Sequence, residues 1–432
     1  MKHPVYWFLI SSSLFASNSL GFADAQAESL TPSDSYNGNT ASEEFKVKET
    51  SSGATYTCEG NVCISYAGNI SPLEKSCFSE TAQNLAFVGN GYTLCFDNIT
   101  TQASNPGAIN VSGDNKTLDV SGFSLFSCAY CPPGTTGYGA IQTKGTTTLK
   151  DNSSLVFHKN CSTSEGGAIQ CKSSSSNAEL KLENNKNLVF SENSSKEKGG
   201  AIYADKLTIV SGGPTLFSNN SVSHNSSPKG GAICIKDSSG ECSLTADLGD
   251  ITFDGNKIIT TSGDSATVKR NSIDLGTGKF TKLNAKDGFG IFFYDPIANS
   301  GGSTEIELNK TENSTTYTGK IVFSGEKLSD EEKADTDNLK SYFKQPLKIG
   351  AGSLVLKDGV TLEAKQVSQT AGSTVVMDLG TTLQTPSSEG ETITLTNLDI
   401  NIASLGGGGR LLLLLKSKQK LQAKQLQSTL LI

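Results

Sequence analysis

The sequence predicts an all-β chain wound as a right-handed parallel β-helix. Three observations carry that expectation. A Gly-Gly-Ala-Ile motif recurs, a Phe-x-x-Asn motif precedes each copy, and the stretches between them alternate apolar and polar residues.

The first motif is written at Gly166-Gly167-Ala168-Ile169, at Gly199-Gly200-Ala201-Ile202 and at Gly230-Gly231-Ala232-Ile233. The copies stand roughly thirty residues apart, a period typical of solenoids and arrays. Tyr138-Gly-Ala-Ile141 reads as a worn copy. A glycine pair can adopt positive φ at a turn without steric cost. The Ile is then expected to point into a core, with the Ala outward or at a tight corner.

The second motif runs from Phe157 to Asn160, from Phe190 to Asn193, from Phe217 to Asn220 and from Phe253 to Asn256, the last without a GGAI partner. Phe87 to Asn90 reads as an earlier, degenerate copy. The phenylalanines are expected to stack from coil to coil. Each Asn is expected at a turn, in a left-handed backbone if needed, bonding to its counterpart above and below.

Between motifs, "AELKLENNKNLVF", "ADKLTIVSGGPTLF" and "ECSLTADLGDITF" alternate at period two, the signature of strands. Helical repeats are excluded by Asn-Ser-Ser and Gly-Gly where a helix would have to continue. A propeller needs a longer, four-stranded blade.

Composition agrees. Apolar residues make up 35% of the 432-residue chain, with 44 glycines. Many short strands and turns suit that balance better than packed helices. The net charge is −7 and the isoelectric point about 5.2. The only arginines are Arg270 and Arg410, and the lysines are interspersed with acids. With no basic stripe, nucleic acid is not an expected partner.

The N-terminus, "MKHPVYWFLISSSLFASNSLGFADAQA", reads as a secretory signal peptide over residues 1–25, with a mature start near Gln26. Export gives the ten cysteines meaning: Cys58, Cys63, Cys77, Cys95, Cys128, Cys131, Cys161, Cys171, Cys234 and Cys242 are candidate disulfide residues, with pairing left open. Cys128 and Cys131 form a lone CxxC without a second ligand pair, and His3, His158 and His224 have no ligand-like spacing. No metal or cofactor is expected. Sequons such as Asn69, Asn98, Asn110 and Asn152 arise by chance in so Asn/Ser/Thr-rich a chain.

Four segments follow from this reading: the signal peptide, a Cys-bearing GGAI/FxxN β-helix over 26–260, further β-helix over 261–405, and a tail over 406–432. An enzyme is not expected. Glu331 and Glu332 lie in the solvated "SDEEKADTDNLK", and Asp247, Asp250 and Asp254 read as turn residues, although neighbouring turns could bring them together.

The paired motifs, with "GIFFYDPI", "IVFSGEKLS" and the stretch from Ala351 to Thr385, resemble the chlamydial polymorphic outer membrane proteins, the Pmp family, and its G-like branch, over residues 1–405. That resemblance implies a type V autotransporter: a surface-displayed β-helical passenger, a middle domain and a membrane barrel. It implies an adhesin toward host epithelial cells and a surface antigen, with the GGAI and FxxN positions taking part in adhesion and a host cell-surface protein as partner. The alternative is a structural protein of the outer envelope, disulfide-linked to its neighbours. No barrel-like series of strands is read in this sequence, so the chain is expected to be a truncated passenger, periplasmic or secreted.

At Gly406 the texture changes. Four glycines precede "RLLLLLKSKQKLQAKQLQSTLLI", where strand alternation vanishes. Five leucines are too few to span a bilayer. A run of guanines reads as Gly in every frame and slips in length. Gly406–Gly409 are therefore expected to be encoded by a guanine tract, with Arg410–Ile432 out of frame and tract length switching surface display. Sequencing the tract checks this: mixed glycine codons, or immediate stops in the other frames, would refute it.

Overall fold

The computed structural model describes residues 28–30, 45–50, 52–65, 76–97, 99, 106–129, 137–174, 178–237, 239–312, 314–386 and 392–401. The expected signal peptide, Cys131 and the Gly tract with its tail lie outside them.

Among the described residues the chain forms three long sheets. A thirteen-stranded sheet runs from Glu28–Leu30 to Leu398–Asn401, a twelve-stranded sheet from Phe45–Thr50 to Val367–Gln369, and an eleven-stranded sheet from Phe78–Glu80 to Thr382–Gln384. Each turn of chain visits all three in order, then lies beside itself one turn later. Ile169–Cys171, Glu179–Asn185 and Leu188–Ser191 make one such coil. Pairing within the sheets is parallel, apart from the hairpin of Phe45–Thr50 with Gly53–Cys58 at one end. This is the expected parallel β-helix.

Register is set by which side chains the alternation turns inward, because a one-residue slip would move the whole apolar set to water. Ile141, Ile169, Ile202 and Ile233 pair in one column. Leu182, Ile209 and Leu244 pair in another. Phe96, Cys128, Phe157, Phe190, Phe217, Phe253, Phe293 and Phe323 form a third. Together these columns make one continuous core from Ala54 to Leu383.

From Phe157 to Phe293 the third column is a stack of near-parallel rings, with centroids 4.8, 4.9, 4.9 and 5.2 Å apart. That matches the strand spacing. Phe87 does not belong to it: it lies in the twelve-stranded sheet beside Val120 and Tyr56, and the column place in that coil is Phe96. A similar quartet of letters falls on a different wall because turn chemistry resembles itself at every corner.

A fourth, five-stranded sheet covers one corner. Cys161–Ser162, Ser194–Ser195, Ser221–His224 and Lys257–Ser262 pair in parallel, and Ser265–Arg270 closes it as an antiparallel hairpin. The division drawn after residue 260 falls inside this hairpin, while the long sheets pass it unbroken. The hairpin base rests on a short helix, Asp330–Ala334, started by a reciprocal capping box between Ser329 and Glu332. Between Asn219 and Pro228, Ser221–His224 is strand, Asn220 and Pro228 are buried, and Asn225, Ser226 and Ser227 are exposed.

Phe190 is fully buried between two stacked rings. Phe190→Ala should lower stability by about 3–5 kcal/mol, the usual loss for a buried Phe truncated to Ala. The test is the shift of the urea unfolding midpoint, followed by circular dichroism.

Candidate functional site

The two motifs meet at one corner of the coil, where the thirteen-stranded wall turns through the short sheet into the eleven-stranded wall. Each residue of GGAI has its own job there. Gly166, Gly199 and Gly230 hold φ of 66°, 65° and 66°, the left-handed region where a side chain is strained. The second glycine has an ordinary φ but no room. A Cβ on Gly167 would stand 2.0 Å from the Gly200 carbonyl oxygen, and one on Gly200 2.0 Å from that of Gly231. Ala168, Ala201 and Ala232 are fully buried, as are Ile169, Ile202 and Ile233. The alanines therefore pack into the tight corner and none points outward.

After Asn256 the same place is taken by Arg270-Asn271-Ser272-Ile273. Ile273 continues the isoleucine column, and Asn271 Oδ1 accepts the N–H of Gly231 at 3.3 Å. The GGAI partner that FDGN lacks is replaced by residues of similar placement.

In Phe-x-x-Asn the Asn is buried and builds a ladder. Asn160 donates both its backbone N–H and its Nδ2 to Asn193 Oδ1, at 3.0 and 2.9 Å. Asn193 does the same to Asn220, and Asn220 to Asn256. The second Nδ2 proton reaches back a coil, from Asn193 to the Phe157 carbonyl and from Asn220 to that of Phe190. The left-handed residue is not the Asn but the one before it: Lys159, Glu192 and Asn219, each at φ 54°, and Gly255 at 79°. That turn frees the Asn side chain to run along the helix axis.

The ladder ends on Asp295, which accepts from Gly255 N, Asn256 N and Asn256 Nδ2 at 3.1, 2.9 and 2.7 Å. Arg270 Nη1 lies 3.1 Å from its other side. Arg270 also donates to the Lys327 carbonyl, and its Nε stands 3.0 Å from Glu332 as a charge contact without hydrogen-bond alignment. The sequence reading missed both residues. The signals were there: Asp295 follows Phe293 of the stacked column, and Arg270 is the one arginine before the Gly tract. A second, shorter ladder joins Asn152 to Asn185 at the opposite end of the thirteen-stranded wall and was also unforeseen.

Burial raises the Asp295 carboxyl from its ordinary 3.8 to about 6, against the Arg270 guanidinium and the Asn256 donors that hold it down. Burial likewise pushes the thiols of Cys58, Cys77 and Cys171 up to about 12, and those of Cys128, Cys234 and Cys242 upward too. All six have little thiolate character, and all but Cys234 fill the core. Cys161, half-buried in the short sheet, is disulfide-bonded. Cys63 and Cys95 pair in register on the outer face of the first wall.

Three of the acids weighed for catalysis have structural partners. Asp247 pairs with Lys286 at 3.1 Å, Asp250 accepts the Gly290 N–H at 2.8 Å, and the Glu332 carboxylate accepts the Ser329 N–H at the start of the short helix at 3.0 Å. Among the described residues no group of three or more His, Cys, Asp or Glu is placed to hold a metal, and no helix is long and apolar enough to cross a membrane. What reaches solvent at the corner is a stacked fringe. It includes the Lys159–Glu192 pair at 3.7 Å, exposed Lys196 and Glu197, and Lys172 and Lys198 over the Tyr203 ring at 5.3 and 5.8 Å.

Walls of parallel strands, a stacked core and a buried asparagine ladder define a solenoid repeat protein of the β-helix class. Its repeats match the model of the Chlamydia polymorphic membrane protein repeat at residues 154–172, 187–205 and 214–236, the coils just described. The chain belongs to the chlamydial polymorphic membrane protein family. It is 36% identical to the probable outer membrane protein pmp12 of Chlamydia pneumoniae, across 87% of this chain and 73% of that protein. It is 38% identical to pmp10 and 41% identical to pmp2 of the same organism, across 97% of this chain in each case but only 55% and 50% of those proteins. The chain thus spans about half the length of these two curated relatives. No solved structure matches it.

The buried acid gives a pH signature. Between about pH 4 and 6 the folded chain keeps a proton on Asp295 that the unfolded chain has released. Stability from this group therefore falls as pH rises through that window and levels off above it. Asp295→Asn should flatten this part of the profile, read from urea midpoints at pH 4, 5, 6 and 7. An unchanged slope would place the carboxyl outside the window.

Proposed function

We propose that this chain is a surface-displayed passenger that attaches to a protein on host epithelial cells and is exposed as an antigen. The observation that carries the reading is family membership joined to a long, rigid, repetitive outer face. Relatives bear the name probable outer membrane protein, which supports an envelope location. A solenoid suits attachment, because stacked coils offer a large preformed surface and corner loops vary without disturbing the core.

In this reading the motifs divide their labour. GGAI and the Phe and Asn of FxxN bury their side chains, so they set the spacing of whatever the corner displays. The host protein meets the fringe: Lys196, Glu197 and Ser226 on successive coils, with Lys159 and Glu192 beside them. No catalytic step belongs to this proposal, and no cofactor.

Beads coated with the chain and offered to epithelial cells test it. The wild type should adhere. A variant carrying Lys196→Ala, Glu197→Ala and Ser226→Ala should keep its circular dichroism and lose adhesion several-fold. Gly200→Ala, which drives a methyl into the next coil, should lose fold and adhesion together. A folded wild type that does not adhere overturns the reading.

A further inference from the structure

On the outer face of the thirteen-stranded wall, near its first coils, two cysteines stand one above the other. Val62–Ser65 and Thr93–Asp97 pair in parallel with Cys63 opposite Cys95. Val62, Ile64, Leu94 and Phe96 turn into the core, so both thiols turn outward. The two thiols are close enough to hydrogen-bond, and both are unoxidised. Ser127 occupies the next place in the column and bonds to Cys95. From Val156 onward the column is mostly aliphatic.

Neighbouring strands lie about 4.8 Å apart, within the separation of about 4.4–6.8 Å between Cα atoms that a disulfide requires. Side chains in register on parallel strands also point the same way, so no backbone rearrangement is needed to bring the sulfurs together. The other described free thiols are buried, five of them in the core. Cys63 is only partly buried, which gives an external oxidant access to this pair and not to those. The hydrogen bond between the two thiols holds Cys63 protonated and favours the thiolate at Cys95. A thiolate beside its partner thiol is the arrangement that exchange chemistry uses.

We propose that Cys63 and Cys95 form a cross-coil disulfide that fastens the first coils of the solenoid when the chain meets an oxidising compartment. The oxidant is a small disulfide such as oxidised glutathione. One thiolate attacks it, forming a mixed disulfide and releasing one glutathione thiolate. The second cysteine, as thiolate, then attacks the protein sulfur and releases the other. Two electrons pass from the protein thiols to the small disulfide, and the two protein protons end on two glutathione thiols. The bond ties one coil to the next near the end of the stack, where coils have least support on one side. An end that cannot fray is what a quasi-one-dimensional fold needs most.

The full chain is equilibrated with a glutathione disulfide buffer, free thiols are alkylated, and the protein is cut with trypsin and Glu-C. Cleavage at Glu59, Glu74, Glu80 and Lys116 leaves Cys63 alone in residues 60–74 and Cys95 alone in residues 81–116, so a linked pair identifies the bond. The expected result is that linked mass, lost on reduction and absent in Cys63→Ser. Oxidised wild type should also resist limited proteolysis of residues 52–97 at least several-fold better than Cys63→Ser. Alkylation of both thiols after full equilibration, or their linkage to other cysteines, overturns the proposal.

Discussion

Everything in this molecule depends on keeping successive coils one strand spacing apart, and two columns of side chains meet that demand in different ways. The phenylalanine rings fill the spacing by contact, ring on ring. The asparagines fill it by saturation. An Asn side chain has one acceptor oxygen and two N–H protons, so Asn193 accepts from the coil before, donates to the coil after, and still satisfies the Phe157 carbonyl. A buried polar group is costly unless fully bonded. The ladder turns that cost into register, because a coil shifted along its strand would orphan several groups at once.

The ladder also has a direction. From one Asn side chain to the next, every donation runs toward the later coil, so the far end needs an acceptor with nothing left to donate. Asp295 meets that need, and Arg270 from the neighbouring hairpin balances its charge. A second carboxylate within the ladder would serve poorly, since it could not donate to the carbonyl behind it. Asparagine in the repeats and aspartate after them follow from the same arithmetic of lone pairs and protons.

How much of this was legible in the sequence follows from what repetition does and does not encode. The coil, the inward isoleucines, the phenylalanine stack and the bonding between asparagines could be read because each is a local pattern written several times. The left-handed turn at Lys159 and Glu192 could not, since neither residue type prefers it; the buried Asn ladder imposes it. Phe87 misled because FxxN-like letters occur at another corner. Asp295 and Arg270 were hidden because each occurs once, and their partners lie in a neighbouring coil or hairpin. Comparison of the GGAI copies could show that both glycines were needed but not that the reasons differ: one is about backbone angle, the other about a carbonyl in the next coil.

The second glycine has a wider meaning. Its missing side chain fixes how closely the chain can approach itself at that seam, whatever the rest of the coil contains. Coils here differ in length, and one carries an entire hairpin, Lys257–Arg270, between Asn256 and the residues that replace GGAI. None of this alters the climb. Thirteen strands rise roughly 55–60 Å from first to last whether loops grow or shrink, at about 4.8 Å a step. Such a chain measures reach in coils and not in residues. A loop can therefore be rewritten, by insertion as well as by substitution, without changing its height along the stack.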